Sequence, residues 1–174
     1  MVYFRKINTA IGVIMVASTE RGVCRIALPG ENMESFINDL KKMYGGAELV
    51  DESVRGKSSE INFLAEQELT AYFNRELKNF TVPLDLKGTE FQKKVWKEVM
   101  KIPYGEVRSY GYIARAIGKP KACRAVGGAN NRNPVPIIVP CHRVVGNDGS
   151  LVGYGGGLEM KSFLLKLEGI KREF

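Results

Sequence analysis

Apolar positions near the start of the chain fall into two short runs, Ile11-Gly12-Val13-Ile14-Met15-Val16-Ala17 and Gly22-Val23-Cys24-Arg25-Ile26-Ala27-Leu28. The polar stretch Ser18-Thr19-Glu20-Arg21 parts them and Pro29-Gly30 closes the second, a pattern that predicts a β-hairpin. From Met33 the period changes. Met33, Phe36, Ile37, Leu40 and Tyr44 recur at helical spacing, and Gly45-Gly46 follows where a C-terminal glycine belongs. A second helix is expected over 60–77, capped by Ser58 or Ser59, with Ile61, Leu64, Glu68, Leu69, Tyr72 and Phe73 mostly in phase.

Residues 80–88 are short, extended and interrupted by Pro83, which suits a strand running into a linker, so a domain boundary is expected near Asp85. Beyond it Thr89 caps a helix to about Met100, with Phe91, Val95, Trp96 and Val99 as its apolar stripe and Pro103-Tyr104-Gly105 as its end. Ser109 caps a short helix from Tyr110 to Ile117. Gly118-Lys119-Pro120 makes a tight turn, and a further short helix runs from Lys121 to about Asn130. Two short helices joined by a glycine turn have the outline of a helix-turn-helix, whose second helix enters a DNA groove, although many αα-hairpins share that outline. The chain is therefore read as α/β, with domains over residues 1–85 and 86–174.

Charge sharpens the picture. Residues 1–85 hold 10 Lys and Arg against 12 Asp and Glu, whereas residues 86–174 hold 16 against 7, so the halves carry −2 and +9. A cationic C-terminal half attracts and steers a polyanion, which points to nucleic acid. With 174 residues, 44% of them hydrophobic, the chain is long enough for an ordinary globular core. No membrane-length apolar run and no secretory leader is read, and a cytoplasmic protein is expected. Three cysteines at wide spacings and one histidine argue against a disulfide framework and against a metal site.

The densest chemical signal is Asn133-Pro134-Val135-Pro136-Ile137-Ile138-Val139-Pro140-Cys141-His142-Arg143-Val144-Val145. This proline-bracketed, β-branched run delivers a cysteine beside the only histidine. A thiol with a pKa near 8.5 is only about 3% ionised at pH 7, so a nucleophilic Cys141 needs activation. Neighbouring strand residues point to opposite faces, so His142 serves Cys141 only if the chain turns after Pro140, as at a helix start, where the helix N-terminus would also favour the thiolate. Cys24 and Cys123 are expected to be packing residues.

This run resembles the active-site signature of the O6-alkylguanine-DNA alkyltransferases. Phe91, Val95-Trp96, Pro103-Tyr104-Gly105-Glu106, Ser109-Tyr110, Gly118-Lys119-Pro120-Lys121-Ala122, Arg124-Ala125-Val126-Gly127, Asn133, Gly153-Tyr154 and Leu164-Leu165 through Glu168 resemble that family in the same order. The resemblance implies a small N-terminal ribonuclease-H-like α/β domain followed by a helical, winged helix-turn-helix domain. It also implies a monomeric repair protein that flips an alkylated guanine, or an O4-alkylthymine, out of double-stranded DNA. The alkyl group passes irreversibly to a cysteine without a cofactor. By position Cys141 matches the acceptor, His142 its base acting through a water, Glu168 the carboxylate orienting that histidine, and Asn133 the residue that positions the loop. Tyr110 matches the tyrosine whose hydroxyl protonates or hydrogen-bonds the departing guanine and helps rotate its phosphate. Arg124 matches the finger that fills the emptied stack, with Ala125 and Gly127 beside it on the DNA. Tyr154, Val144, Val145 and Gly155 match the substrate pocket.

Some members carry serine where Gly155 stands and glycine where Val152 stands, and some bind zinc through N-terminal histidines that are absent here. Two other readings fit parts of the sequence. A winged-helix regulator, with Gly146-Asn147-Asp148-Gly149 as the wing turn, accounts for the charge and leaves Cys141-His142 and Glu168 unexplained. A cysteine protease would need an oxyanion hole, and nothing in the sequence supplies one.

Overall fold

The computed structural model describes residues 1–55 and 59–171. The chain divides into two compact units, Met1–Lys87 and Gly88–Phe174. The first is a four-stranded sheet in the order β3-β2-β1-β4, built from β1 (Val2–Thr9), β2 (Gly12–Thr19), β3 (Gly22–Ala27) and β4 (Leu49–Asp51). β1–β2 and β2–β3 are antiparallel and β1–β4 is parallel.

Helices cover both faces of the sheet. On one, Phe36 and Leu40 of α1 (Met33–Met43) pack on Val2, Phe4, Met15, Ala17, Cys24 and Ala27. On the other lies α3 (Glu60–Phe73), which buries Ala65, Leu69, Tyr72 and Phe73. Double coverage explains why β2 is a continuous apolar run, because its residues Ile14 to Ser18 are all buried. β1 is absent from the expected elements. Val2 and Phe4 face α1, whereas buried Ile7 has the opposite parity, so no single alternation marks this strand.

Two further expectations need correction. α3 ends at Phe73, four residues before the expected Leu77, and Arg75 beyond it adopts a left-handed φ of 63°. Its cap is Ser59, whose hydroxyl accepts from Asn62 N, while Ser58 lies outside the described residues. The expected strand at 80–88 contributes only a bridge between Leu84 and Val23, with Val23 N donating to Pro83 O at 2.8 Å. Gly22 permits that approach, since a Cβ there would meet the Pro83 carbonyl oxygen at 2.5 Å. The short α2 (Glu52–Arg55) completes this unit.

The second unit is helical. α4 (Glu90–Val99) opens with a capping box, Thr89 accepting from Gln92 N and Gln92 accepting from Thr89 N. Its Trp96 is buried and donates to Ala129 O at 2.8 Å, tying α4 to α6 (Cys123–Asn131). α5 (Tyr110–Ala116), capped by Ser109, turns into α6 through Gly118 at φ +73°. Together α5 and α6 form the helix-turn-helix. A two-stranded parallel ladder, β5 (Arg108–Ser109) with β6 (Val144–Val145), and α7 (Leu158–Leu167) close the core. No helix among the described residues is long and apolar enough to cross a membrane.

Candidate active site

The segment before Cys141 is held by its own asparagine. Asn133 accepts from Val135 N at 3.0 Å and donates to Val139 O at 2.9 Å, bracketing a turn in which Val139 N donates to Val135 O. Within it Ile137 adopts φ +76°, a conformation that strains a β-branched residue by about 1–3 kcal/mol. Its fully buried side chain and the two Asn133 bonds hold it there. Pro140, at φ −79° and ψ 61°, forms an inverse γ-turn closed by Cys141 N donating to Val139 O at 2.8 Å. The chain then enters a three-residue 3₁₀ turn, Cys141–Arg143. The turn expected after Pro140 is present, but a single turn replaces a full helix. Asn130 of α6 fixes its start by donating to Cys141 O at 3.1 Å.

Glu168, the C-cap of α7, gathers the neighbours of the cysteine. His142 Nε2 lies 2.7 Å from Oε1. Arg143 donates to the same carboxylate from Nε at 2.9 Å and from its terminal nitrogen at 3.0 Å, and Gly105 N adds a fourth contact at 3.2 Å. Burial pushes the Glu168 carboxyl up, yet the bonds and charges of His142 and Arg143 outweigh it and hold the group at about 2. Burial pushes His142 below its ordinary value against the pull of Glu168, leaving a neutral imidazole able to take a proton.

Cys141 itself is 4% exposed. Burial pushes its thiol up to about 11, opposed by the Asn133 amide, the charge of Lys161 and the N–H groups of Cys141 and His142. The resting group is a thiol, so the expected help from a helix N-terminus does not produce a standing thiolate. Arg143 is committed to Glu168 and to Ile102 O at 2.7 Å. The proton therefore has to leave as the nucleophile attacks.

A groove of about 400 Å³ runs along α6, lined by Tyr110, Arg124, Gly127, Asn131, Asn147 and Gly153 among others, and its Tyr110 lies near enough to Cys141 to feel that group's charge. Arg124 and Ala125 are exposed on α6, which carries no acidic residue, and Gly127 is half-buried against Tyr110. The Tyr110 hydroxyl donates to Val152 O at 2.9 Å. Tyr154 places a buried hydroxyl close enough to Cys141 and Glu168 to feel their charge, and burial pushes it well above its ordinary value. Exposed Gly155 has room for a Cβ, the nearest atom being Asn131 O at 3.9 Å. Val144 and Val145 are buried core residues on β6. Cys24 is buried as expected, whereas Cys123 is half-buried and lines the groove, which corrects its reading as a packing residue.

Sequence reasoning missed two residues. Asn130 needed knowledge of which face of α6 turns inward. Lys161, fully buried, donates from Nζ to Val144 O at 2.5 Å, Val152 O at 3.0 Å and Gly153 O at 3.4 Å. Its signal was its spacing, seven residues before Glu168 and hence on the same face of α7. Among the described residues no three His, Cys, Asp or Glu side chains are grouped to hold a metal ion.

Comparison with known proteins agrees with this geometry. Residues 2–86 match the family model described as 6-O-methylguanine DNA methyltransferase, ribonuclease-like domain, and residues 90–170 match that of the same family's DNA binding domain. The chain belongs to the 6-O-methylguanine DNA methyltransferase family. It is 48% identical over 167 residues to a methylated-DNA–protein-cysteine methyltransferase of Methanosarcina acetivorans, covering 96% of this chain and 98% of that one. Among solved structures, that of the Mycobacterium tuberculosis protein in complex with DNA superposes with a TM-score of 0.79 at 41% identity, over 95% of this chain and 92% of that one. The methyltransferase of the hyperthermophilic archaeon Pyrococcus kodakaraensis superposes with a TM-score of 0.68 at 32% identity, over 98% of this chain and 100% of that one.

Proposed function

We propose that this chain is a single-use DNA repair transferase that moves the alkyl group of O6-alkylguanine in duplex DNA onto Cys141. The observation that carries the reading is the turn at Pro140, which sets Cys141 next to a histidine held by Glu168, while Tyr110, a wall of the α6 groove, lies near enough to feel the charge of that cysteine. Sγ attacks the alkyl carbon, the S–C bond forms, and the carbon–O6 bond breaks with its electron pair going to guanine. The thiol proton passes to His142, through a water when one bridges them. Tyr110, now donating to Val152 O, turns its hydroxyl to the departing base and supplies the proton that neutralises it.

The thioether product has no good leaving group, so the protein is consumed stoichiometrically. Reaching the lesion requires flipping the base, a few kcal/mol in duplex DNA, and Arg124 on the exposed face of α6 fills the emptied stack. Ala125 and Gly127 lie against the DNA backbone, and Tyr154 walls the pocket that admits the base. O4-alkylthymine, with the same alkyl–oxygen bond, is a second substrate. The protein acts as a monomer, needs no cofactor, and works in the cytoplasm alongside the DNA it repairs.

Intact mass after incubation with duplex DNA containing O6-methylguanine tests this directly. One methyl group should replace one thiol hydrogen per chain, and Cys141→Ser should gain none while still binding the duplex. Tight duplex binding with no mass gain in the wild-type chain would return the reading to a winged-helix regulator.

A further inference from the structure

A lysine with no exposed surface is unusual, because burying an ammonium costs several kcal/mol unless its charge is answered. Lys161 is such a residue, and among the described residues no carboxylate is paired with it. Its three hydrogen bonds go to carbonyls on two separate pieces of the site. Val144 lies on β6, three residues after Cys141, and Val152 and Gly153 lead into Tyr154. The same Val152 and Gly153 carbonyls receive the Tyr110 hydroxyl, at 2.9 and 3.5 Å, and the Tyr110 ring centroid lies 5.8 Å from Nζ. One ammonium thus ties the cysteine strand to the loop carrying Tyr154 and to the hydroxyl of Tyr110.

The other ionisable groups around it leave one candidate for an answering charge. Glu168, two turns along α7, is held by His142 and Arg143. Tyr110 on α5 and Tyr154 in the loop are both pushed toward their neutral forms by burial. His142, on the 3₁₀ turn, is neutral and is disfavoured as a cation partly by Lys161 itself. Cys141 remains. We propose that Lys161 is a positioning residue for alkyl transfer, clamping the acceptor strand to the Tyr154 loop and supplying the buried positive charge that answers the Cys141 thiolate as it forms. Burial lowers the lysine to about 8, so it is still about nine-tenths protonated at pH 7.

The proposal rests on Cys141 being the acceptor, and the experiment separates the two. In a chain carrying Cys24→Ser and Cys123→Ser, the rate of Cys141 alkylation by iodoacetamide is followed against pH, together with methyl transfer from duplex DNA. Lys161→Met, which removes charge and donors, is compared with Lys161→Gln, which keeps two N–H donors, and with Lys166→Met at an exposed position on the same helix. With either Lys161 variant the rise of alkylation with pH should move to higher pH by about one unit or more, and transfer should fall about 10- to 100-fold. Lys166→Met should match the parent. A pH profile that stays in place in a folded Lys161 variant overturns the proposal, even if its melting temperature drops. Should neither variant fold, the alkylation profile of the parent chain decides. A rise that slackens from tenfold per pH unit above about 8, where Lys161 loses its proton, supports the pairing, and an unbroken tenfold rise per unit through that range overturns it. Failure of the parent itself to accept a methyl group would instead refute the assignment of Cys141.

Discussion

His142 and Glu168 face each other across 26 residues of sequence with Nε2 2.7 Å from Oε1, and Arg143 grips the same carboxylate from the other side. One buried anion thereby orients the base and neutralises the adjacent guanidinium. Glu168→Gln keeps the shape and removes the charge, so it should slow transfer from duplex DNA and from free alkylguanine base alike. The loss should be about 10- to 100-fold, the range of one charge-assisted hydrogen bond. Single-turnover kinetics on both substrates checks this, and a variant with unimpaired free-base transfer would remove Glu168 from the relay.

The same cluster sets a pH dependence of stability. Glu168 is depressed to about 2 and His142 lies below its ordinary 6.5, so both groups stabilise the fold above their free-side-chain values. Both withdraw that stability as pH falls, His142 from 6.5 downward and Glu168 between 4.5 and about 2. Urea denaturation at stepped pH should show this acid loss. Glu168→Gln should flatten it between 4.5 and 2, and a variant losing stability as steeply as wild type would refute the assignment.

Arg124→Ala should impair duplex repair much more than free-base transfer, because only the duplex incurs the cost of flipping. Parallel rate measurements on the two substrates give the answer. Equal losses would mean that Arg124 shapes the pocket.

Binding to undamaged duplex should weaken steeply with salt and depend little on sequence. With about four phosphates neutralised, the slope of log affinity against log salt should be near −3.6. A flat titration would contradict the role assigned to the basic C-terminal half.

Sequence periodicity was most informative where one face of an element is buried. α1 and α4 each have a single apolar stripe, and their caps Asn32 and Thr89 are ordinary capping residues. β1 was illegible because it changes the face it buries, and α3 was overextended because apolar Leu77 continued the pattern past a left-handed Arg75. At the site, Cys141, His142 and Glu168 were legible as a motif, and the turn at Pro140 followed from side-chain parity. Asn130 was not, since its importance lies in a backbone carbonyl that no sequence pattern displays, and Lys161 was marked only by its spacing from Glu168, which says nothing of the carbonyls it binds.

Cys141 reacts from within the packed interior, at 4% exposure, and its product stays attached. A methyl group on Sγ must be housed among atoms already at close-packed density, and such overpacking costs about 1–3 kcal/mol. That is a large fraction of the total stability of a typical domain, about 5–15 kcal/mol. The spent chain should therefore melt at a lower temperature than the unreacted one, by about 2–4 °C for each kcal/mol in a protein of this size. Calorimetry on one preparation before and after reaction measures the difference, and equal melting temperatures would mean that the groove relaxes to admit the new group. Bulkier alkyl groups should lower it further, so the protein would carry a thermodynamic record of having been used, graded by the lesion it removed.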